Sequence, residues 1–155
     1  MDIILWRHAE AEDLASSDLA RRLTPRGVRQ AKRMATWLKS QMGAVSKWRV
    51  IASPAVRAQQ TAAALEMPVE TAASIAPGAD PSAIFEAAGW PDNSRNVIIV
   101  GHQPTLGMAA GLLINGVDGY VSVKKAAAWW FRCRQRDVET EAVLVAMATP
   151  ETVGG

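Results

Sequence analysis

Three short apolar runs divide the first two thirds of the chain, and each gives way to a cation or a histidine. They span residues 2–6, 50–52 and 97–100, and they are rich in β-branched side chains, which is typical of buried strands. Longer segments between them repeat apolar residues every three or four positions and predict helices. We therefore expect a single α/β domain with a mostly parallel central sheet and helices on both faces.

Capping residues set the predicted helix bounds. Thr24 followed by Pro25 starts the first helix, which Gly43 ends, and Asp80 is an N-cap of the same kind. Ser53 is interpreted as the cap of the second helix. Four helices are expected, over 25–41, 55–66, 81–88 and from 105 to 113 or 114.

The C-terminal third predicts an antiparallel hairpin at one edge of the sheet. Its strands cover 127–134 and 142–147, with a turn over 135–141. Side chains alternate between the two faces of a strand, so Trp129 and Trp130 should point to opposite faces. We expect that one of them is exposed on an edge or meets a partner.

The residues that end the three apolar runs form a pattern of candidate chemistry. Arg7 and His8 follow the first run, Arg57 follows the second, and His102 follows the third. Carboxyl ends of parallel strands share one edge, where open α/β sheets bind ligands. Arg57 lies in the first turn of a predicted helix, where a cation is unfavourable unless an anion binds the helix amides. Taken alone, each residue also fits a solvated strand end, but together they predict one anion pocket.

Composition limits the number of domains, the class of partner and the cellular compartment that we expect. A chain of 155 residues that is 49% apolar suits one domain over 1–155, and a net charge of +2 does not indicate a nucleic-acid partner. The one cysteine, Cys133, cannot form an internal disulfide, and a reducing cytoplasm fits. There is no basic leader and no apolar stretch of membrane-spanning length. Without a Cys/His cluster, we expect neither a metal nor another cofactor.

Four motifs carry a resemblance to a known family. They are Arg7-His8, Leu23-Thr24-x-x-Gly27, Ser53-Pro54-x-x-Arg57-x-x-x-Thr61 and Gly101-His102. In this order, and over most of the chain, they resemble the histidine phosphatase superfamily, also called the phosphoglycerate mutase-like family. The Asp18-x-x-Arg21-x-Leu23-Thr24 block and His102-Gln103-Pro104 are most similar to the SixA branch of phosphohistidine phosphatases.

The resemblance implies that His8 is the nucleophile that takes the phosphoryl group. It implies phosphate and rim contacts from Arg7, Arg57, His102, Asp18 and Arg21. The family pattern has glycine where this chain has Ala9. The segment that usually carries the family's general acid is short here, and Asp80 and Glu10 are the candidate acids.

The chemistry of phosphoryl transfer and the open site then narrow the class of substrate. Guanidinium forks suit phosphate, and their charge removes the need for a metal. An imidazole that leaves from phosphohistidine departs neutral when its other nitrogen is protonated, so it needs little help from an acid. A site without a cap also admits a residue on a folded protein. We expect a monomer or weak dimer that removes phosphate from phosphohistidine on a signalling or phosphotransfer protein.

Two alternatives stay open. One is a small-molecule phosphomonoester phosphatase of the same superfamily, and the other is a non-catalytic phosphate-binding module. A mutase, which retains and returns the phosphoryl group, needs a closed pocket that the short loops do not provide.

Overall fold

This computed structural model describes residues 1–136 and 139–154. In that part of the chain the strands are β1 (Asp2–Arg7), β2 (Trp48–Ala52), β3 (Val69–Thr71), β4 (Asn96–Gly101), β5 (Ala128–Arg136) and β6 (Glu139–Ala148). The helices are α1 (Pro25–Met42), α2 (Val56–Ala63), α3 (Pro81–Ala88) and α4 (Thr105–Asn115). Short 3-10 turns cover Val45–Lys47 and Ala73–Ile75.

All of these strands join one sheet in the order β3-β2-β4-β1-β5-β6. The first four pair in parallel, β5 runs antiparallel to β1, and β6 runs antiparallel to β5. The predicted fold class is therefore confirmed, including the antiparallel hairpin at the C-terminal edge. In the parallel part, β1 and β2 lie on either side of β4, so the carboxyl ends of these three strands are adjacent.

The core consists of two layers, one on each face of the sheet. Ile4 and Trp6 of β1 pack with residues of α1 and α2, whereas Ile3 and Leu5 pack with residues of α3 and α4. All four side chains have no solvent exposure. This alternation explains why β1 is apolar at successive positions: a strand covered by helices on both faces buries every side chain.

The hairpin differs from the prediction in its extent. Its strands continue to Arg136 and start again at Glu139, and residues 137 and 138 of the predicted turn lie outside the described residues. Trp130 is buried on the face of α1, while Trp129 is partly buried on the other face, so the predicted alternation is confirmed. The expectation that one of them is exposed on an edge is wrong, because β6 rather than β5 forms the sheet edge and both side chains are at least partly buried.

Two of the predicted caps are present, and one is wrong. The Thr24 hydroxyl accepts a hydrogen bond from Gly27 N at 2.9 Å, and the Asp80 carboxylate accepts one from Ser82 N at 2.9 Å. Ser53, in contrast, lies three residues before α2, whose N-cap position is Ala55. Helix α2 also ends at Ala63, sooner than predicted.

The start of α1 packs against the segment that follows β1. A Cβ atom built on Gly27 would lie 2.0 Å from the carbonyl oxygen of Glu10, which is a steric clash. Glycine at this position therefore allows α1 to approach the backbone two residues beyond His8. None of the helices in the described part of the chain has the length and apolar character needed to cross a bilayer.

Candidate active site

The ends of β1 and β4 and the first turn of α2 bring Arg7, His8, His102 and Arg57 together. The ring centroids of His8 and His102 lie 5.2 Å apart, and Arg57 Nε lies 3.4 Å from His8 Nε2. Both histidines and Arg57 are buried, with at most 7% exposure, and Arg7 is partly buried. The convergence predicted from three separate strand ends is what the sheet order produces.

The hydrogen bonds of His8 define its protonation state. A guanidinium can only donate, so the contact from Arg57 Nε makes His8 Nε2 the nitrogen with the lone pair. His8 Nδ1 then carries the hydrogen and donates it to the Ala9 carbonyl oxygen, 2.8 Å away. Burial lowers the pKa of His8 to about 3, and the nearby charges act in the same direction, against the opposing effect of the Ala9 carbonyl. At neutral pH this ring is uncharged, with a lone pair on the nitrogen that faces Arg57.

Arg57 is anchored by the loop that returns over the site. Its two terminal nitrogens donate to the Asp18 carbonyl oxygen at 2.8 Å and to the Asp18 carboxylate at 3.1 Å. Arg21 donates to the same carboxylate at 3.2 Å and to the Glu12 carbonyl oxygen at 2.7 Å. The hydrogen bond from Arg21 and the charge of Arg57 lower the pKa of Asp18. Asp18 and Arg21 thus lie at the rim, where Asp18 is a carboxylate and not a proton donor at neutral pH.

Arg7 is held by a backbone carbonyl oxygen and not by a carboxylate of the described residues. One terminal nitrogen donates to the Val123 carbonyl oxygen at 2.9 Å, while Arg7 Nε is buried and has no hydrogen-bond partner among the described residues. Nδ1 of His102 is likewise buried and has no hydrogen-bond partner among these residues. Within the described residues no acid forms an ion pair with Arg7. A partly buried cation, together with two buried nitrogens that lack a partner among these residues and can donate, suits an oxyanion.

Thr61 ties the segment after β1 to α2. Its hydroxyl accepts from Ala9 N at 3.0 Å and donates to the Arg57 carbonyl oxygen at 2.8 Å. Sequence reasoning found Thr61 only as a motif position and assigned it no role. Ala9 itself is fully buried and does not adopt a left-handed backbone conformation, so this position does not require glycine.

Ser53 is the site residue that sequence reasoning misinterpreted. Its hydroxyl oxygen lies 2.6 Å from His102 Nε2 across the parallel strands β2 and β4. The motif that contains Ser53 was the available signal, but the Pro54 that follows Ser53 suggested a helix cap. The partner is 49 residues away in sequence, and no local pattern reveals it.

The two candidate general acids lie in other contacts. The Glu10 carboxylate accepts from the Thr24 hydroxyl at 2.8 Å and lies 4.0 Å from Arg26. Asp80 is fully exposed, and its bonds to Ser82 at the start of α3 lower its pKa. Among the described residues, no hydrogen bond or ion pair joins either carboxylate to the two histidines or two arginines.

Residues 1–136 and 139–154 contain no candidate metal site. No group of three or more His, Cys, Asp or Glu side chains in this part of the chain is arranged to hold a metal ion.

At the carboxyl edge of the parallel strands, two histidines and two arginines lie close together, a set of side chains that suits transfer of a phosphoryl group. Residues 3–78 match the family model of the histidine phosphatase superfamily (branch 1), and with two SixA relatives at 36% and 30% identity the chain belongs to this superfamily. The resemblance seen in the four motifs is thereby confirmed.

Relatives point to one branch of this superfamily. The phosphohistidine phosphatase SixA homolog of Haemophilus influenzae is 36% identical over 120 residues, which cover 69% of this chain and 73% of the relative. The phosphohistidine phosphatase SixA of Escherichia coli is 30% identical over 124 residues, covering 75% and 76%. A structure of the protein histidine phosphatase SixA complexed with tungstate matches with a TM-score of 0.79 at 23% identity, covering 99% and 100%. These findings support a phosphatase that resembles SixA.

Proposed function

We propose that this chain is one histidine phosphatase domain over 1–155 that removes phosphate from phosphohistidine on a signalling or phosphotransfer protein. The observation that carries the proposal is the state of His8. Its ring is buried and neutral, and its Nε2 lone pair faces Arg57. Among the described residues, Asp18 is the one acid paired with Arg57, and none is paired with Arg7. A neutral nucleophile surrounded by fixed cations is what attack on a phosphoryl group requires.

In the first step, Nε2 of His8 attacks phosphorus in line with the leaving group. The bond from phosphorus to the leaving nitrogen breaks, and that nitrogen takes the electron pair. Arg7, Arg57 and His102 contact the equatorial oxygens, where charge accumulates. Positive charge develops on the His8 ring, and the Ala9 carbonyl, which accepts the Nδ1 hydrogen, stabilises it.

In the second step, water attacks the phosphorus of phospho-His8. The bond between phosphorus and Nε2 breaks, its electron pair returns to the ring, and inorganic phosphate leaves with the oxygen and both hydrogens of water. The Nδ1 hydrogen stays bound to Nδ1 and hydrogen-bonded to the Ala9 carbonyl oxygen throughout, so the neutral ring is regenerated in its starting tautomer. The steps use no metal, and metal independence is part of the proposal.

The position of the acids supports a phosphohistidine substrate. Glu10 is engaged by Thr24, and Asp80 is ionised at the exposed start of α3. An alkoxide leaving group gains about 10²–10⁴-fold from general acid catalysis. A leaving imidazole with its other nitrogen protonated departs neutral and does not need this help. The names of the Haemophilus and Escherichia relatives support the same substrate class.

The test compares kcat/KM for a phosphohistidine-bearing protein with kcat/KM for an alkyl phosphate. We expect the wild type to prefer the phosphohistidine protein, Asp80→Asn to change that rate little, and His8→Asn to abolish turnover of both. Mass spectrometry after alkaline denaturation should find the trapped phosphate on His8. Phosphate on His102 would reverse the assignment of the nucleophile.

Two other outcomes identify the alternatives. Preference for alkyl phosphates, together with loss of activity in Asp80→Asn, would identify a small-molecule phosphatase. Phosphate binding without turnover of either substrate would identify a binding module. The cytoplasmic location and the monomer or weak dimer stay predictions.

A further inference from the structure

Ser53 lies at the end of β2 in a fixed position beside His102. The residue has no solvent exposure, and its backbone N–H donates to the Val100 carbonyl oxygen of β4 at 3.0 Å. Its carbonyl oxygen accepts from Gln59 Nε2 at 2.9 Å. The hydroxyl oxygen then lies 2.6 Å from His102 Nε2, a short distance for an O–H···N contact.

The direction of this hydrogen bond follows from counting donors and acceptors. The Ser53 oxygen accepts from Ala55 N at 3.2 Å, and that N–H can only donate. Within the described residues, His102 Nε2 is the one acceptor in reach of the hydroxyl hydrogen. A buried hydroxyl hydrogen without an acceptor is costly. Ser53 therefore donates, Nε2 is the lone-pair nitrogen, and the His102 ring hydrogen lies on Nδ1.

We propose that Ser53 is a positioning residue that holds His102 in the Nδ1–H tautomer, so that His102 presents a neutral N–H donor to a phosphoryl oxygen. Nδ1 is the nitrogen that has no partner among the described residues. The assignment of the acceptor as a phosphoryl oxygen rests on the proposed function, whereas the assignment of the tautomer rests on the contacts of Ser53 alone.

The same hydrogen bond disfavours a positive charge on His102. An imidazolium carries hydrogens on both nitrogens, which would leave the Ser53 hydroxyl hydrogen without an acceptor. Burial acts in the same direction and, together with the charge of Arg57, lowers the pKa of His102 to about 4, although Asp18 opposes this shift. Ser53 thus makes His102 a hydrogen-bond donor of fixed direction and leaves Arg7 and Arg57 to balance the phosphoryl charge.

The tautomer can be measured without any activity assay. The chain has two histidines, so a ¹⁵N-histidine-labelled sample gives one set of ring signals for each, and a His8→Asn variant assigns them. At pH 7 we expect His102 to have a protonated Nδ1 and an unprotonated Nε2. An Nε2–H tautomer or an imidazolium in the wild type would overturn the proposal, whatever the enzyme does to substrates.

Variants separate this role from a merely structural one. Ser53→Ala should move His102 toward the Nε2–H form, lower kcat by about 10- to 100-fold with little change in KM, and weaken binding of tungstate as a phosphate-shaped probe. Ser53→Thr, which keeps the hydroxyl, should retain the tautomer and most of kcat. If the added methyl prevents folding, Ser53→Cys can replace it, because cysteine has as many heavy atoms as serine and its thiol is a weaker donor. Unchanged His102 signals and kcat in Ser53→Ala would refute the role.

A matched control is Thr105→Val in the first turn of α4. Thr105 is also buried, and its hydroxyl makes an equally short bond, 2.6 Å, to the Ala79 carbonyl oxygen instead of to a histidine ring. We expect a loss of stability similar to that of Ser53→Ala, with the His102 tautomer unchanged. If the wild type turned over no phosphorylated substrate but His102 showed the expected tautomer, the proposed function would fail and the assignment of the tautomer would stand.

Discussion

Replacing Thr61 with valine tests how the site holds the segment after its nucleophile. Valine has nearly the shape of threonine, so the change removes a hydroxyl without opening a cavity. Thr61 then no longer accepts the Ala9 N–H or donates to the Arg57 carbonyl oxygen. Ala9 and Thr61 both have no solvent exposure, so water cannot replace either partner.

The size of the effect follows from the group that is left unpaired. A buried N–H that loses its acceptor costs about 1–3 kcal/mol in the free energy of unfolding. For a chain of this length, each kcal/mol lowers Tm by roughly 2–4 °C. Ala9 also supplies the carbonyl that orients His8, and a misplacement of about 1 Å can cost about 10²-fold in rate. We therefore expect kcat to fall about tenfold or more.

Thr36 provides a matched control on α1. Its hydroxyl donates to the carbonyl oxygen of Lys32, four residues earlier, just as Thr61 donates to that of Arg57. Thr36 is exposed, however, and within the described part of the chain it accepts no hydrogen bond from another segment. Thr36→Val should change the free energy of unfolding by no more than about 0.5 kcal/mol. The difference between the two variants isolates the bond to Ala9.

The assay is denaturant unfolding of both variants, together with kcat on a phosphohistidine-bearing protein. Thr61→Ser, which keeps the hydroxyl, should restore most of the lost rate. If Thr61→Val and Thr36→Val had equal stability and equal kcat, the claim that Thr61 positions the segment after His8 would be refuted.

Three further predictions concern charge in the site. Because the pKa values of His8 and His102 are lowered to about 3 and about 4, both rings take up protons in the unfolded chain at a higher pH than in the folded protein. The free energy of unfolding should thus fall as the pH drops below about 6.5. The acidic limb of the kcat/KM profile should lie well below that pH. A limb near pH 6.5 would contradict the assignment of both rings as neutral. Arg57→Lys should lower kcat/KM by about 10²–10³-fold. Arg49→Lys, which alters an arginine paired with Glu70 at 2.9 Å, should leave kcat/KM unchanged. Equal effects of the two variants in steady-state assays would argue against a contact between Arg57 and phosphate. Activity should survive EDTA, and a loss that magnesium or zinc restored would disprove metal independence.

Local pattern in the sequence determined the elements and the edge at which the site forms. The apolar runs before His8 and His102 predict strands because a strand buried on both faces must be apolar at successive positions. Thr24 and Asp80 predict helix starts because a cap bonds amides two or three residues away. Such signals lie within a few residues of their effect, so they can be read without the fold.

Only the tertiary structure decided how the site residues are oriented. Ser53 meets His102 across 49 residues, Thr61 meets Ala9 across 52, and Asp18 meets Arg57 across 39. Local pattern therefore indicated a helix cap at Ser53 and no role for Thr61. A hydroxyl or carboxylate has the same local signature whether it caps a helix, meets water or orients a catalytic ring. Its partner is set by the order in which the sheet assembles, and that order depends on packing along the whole chain.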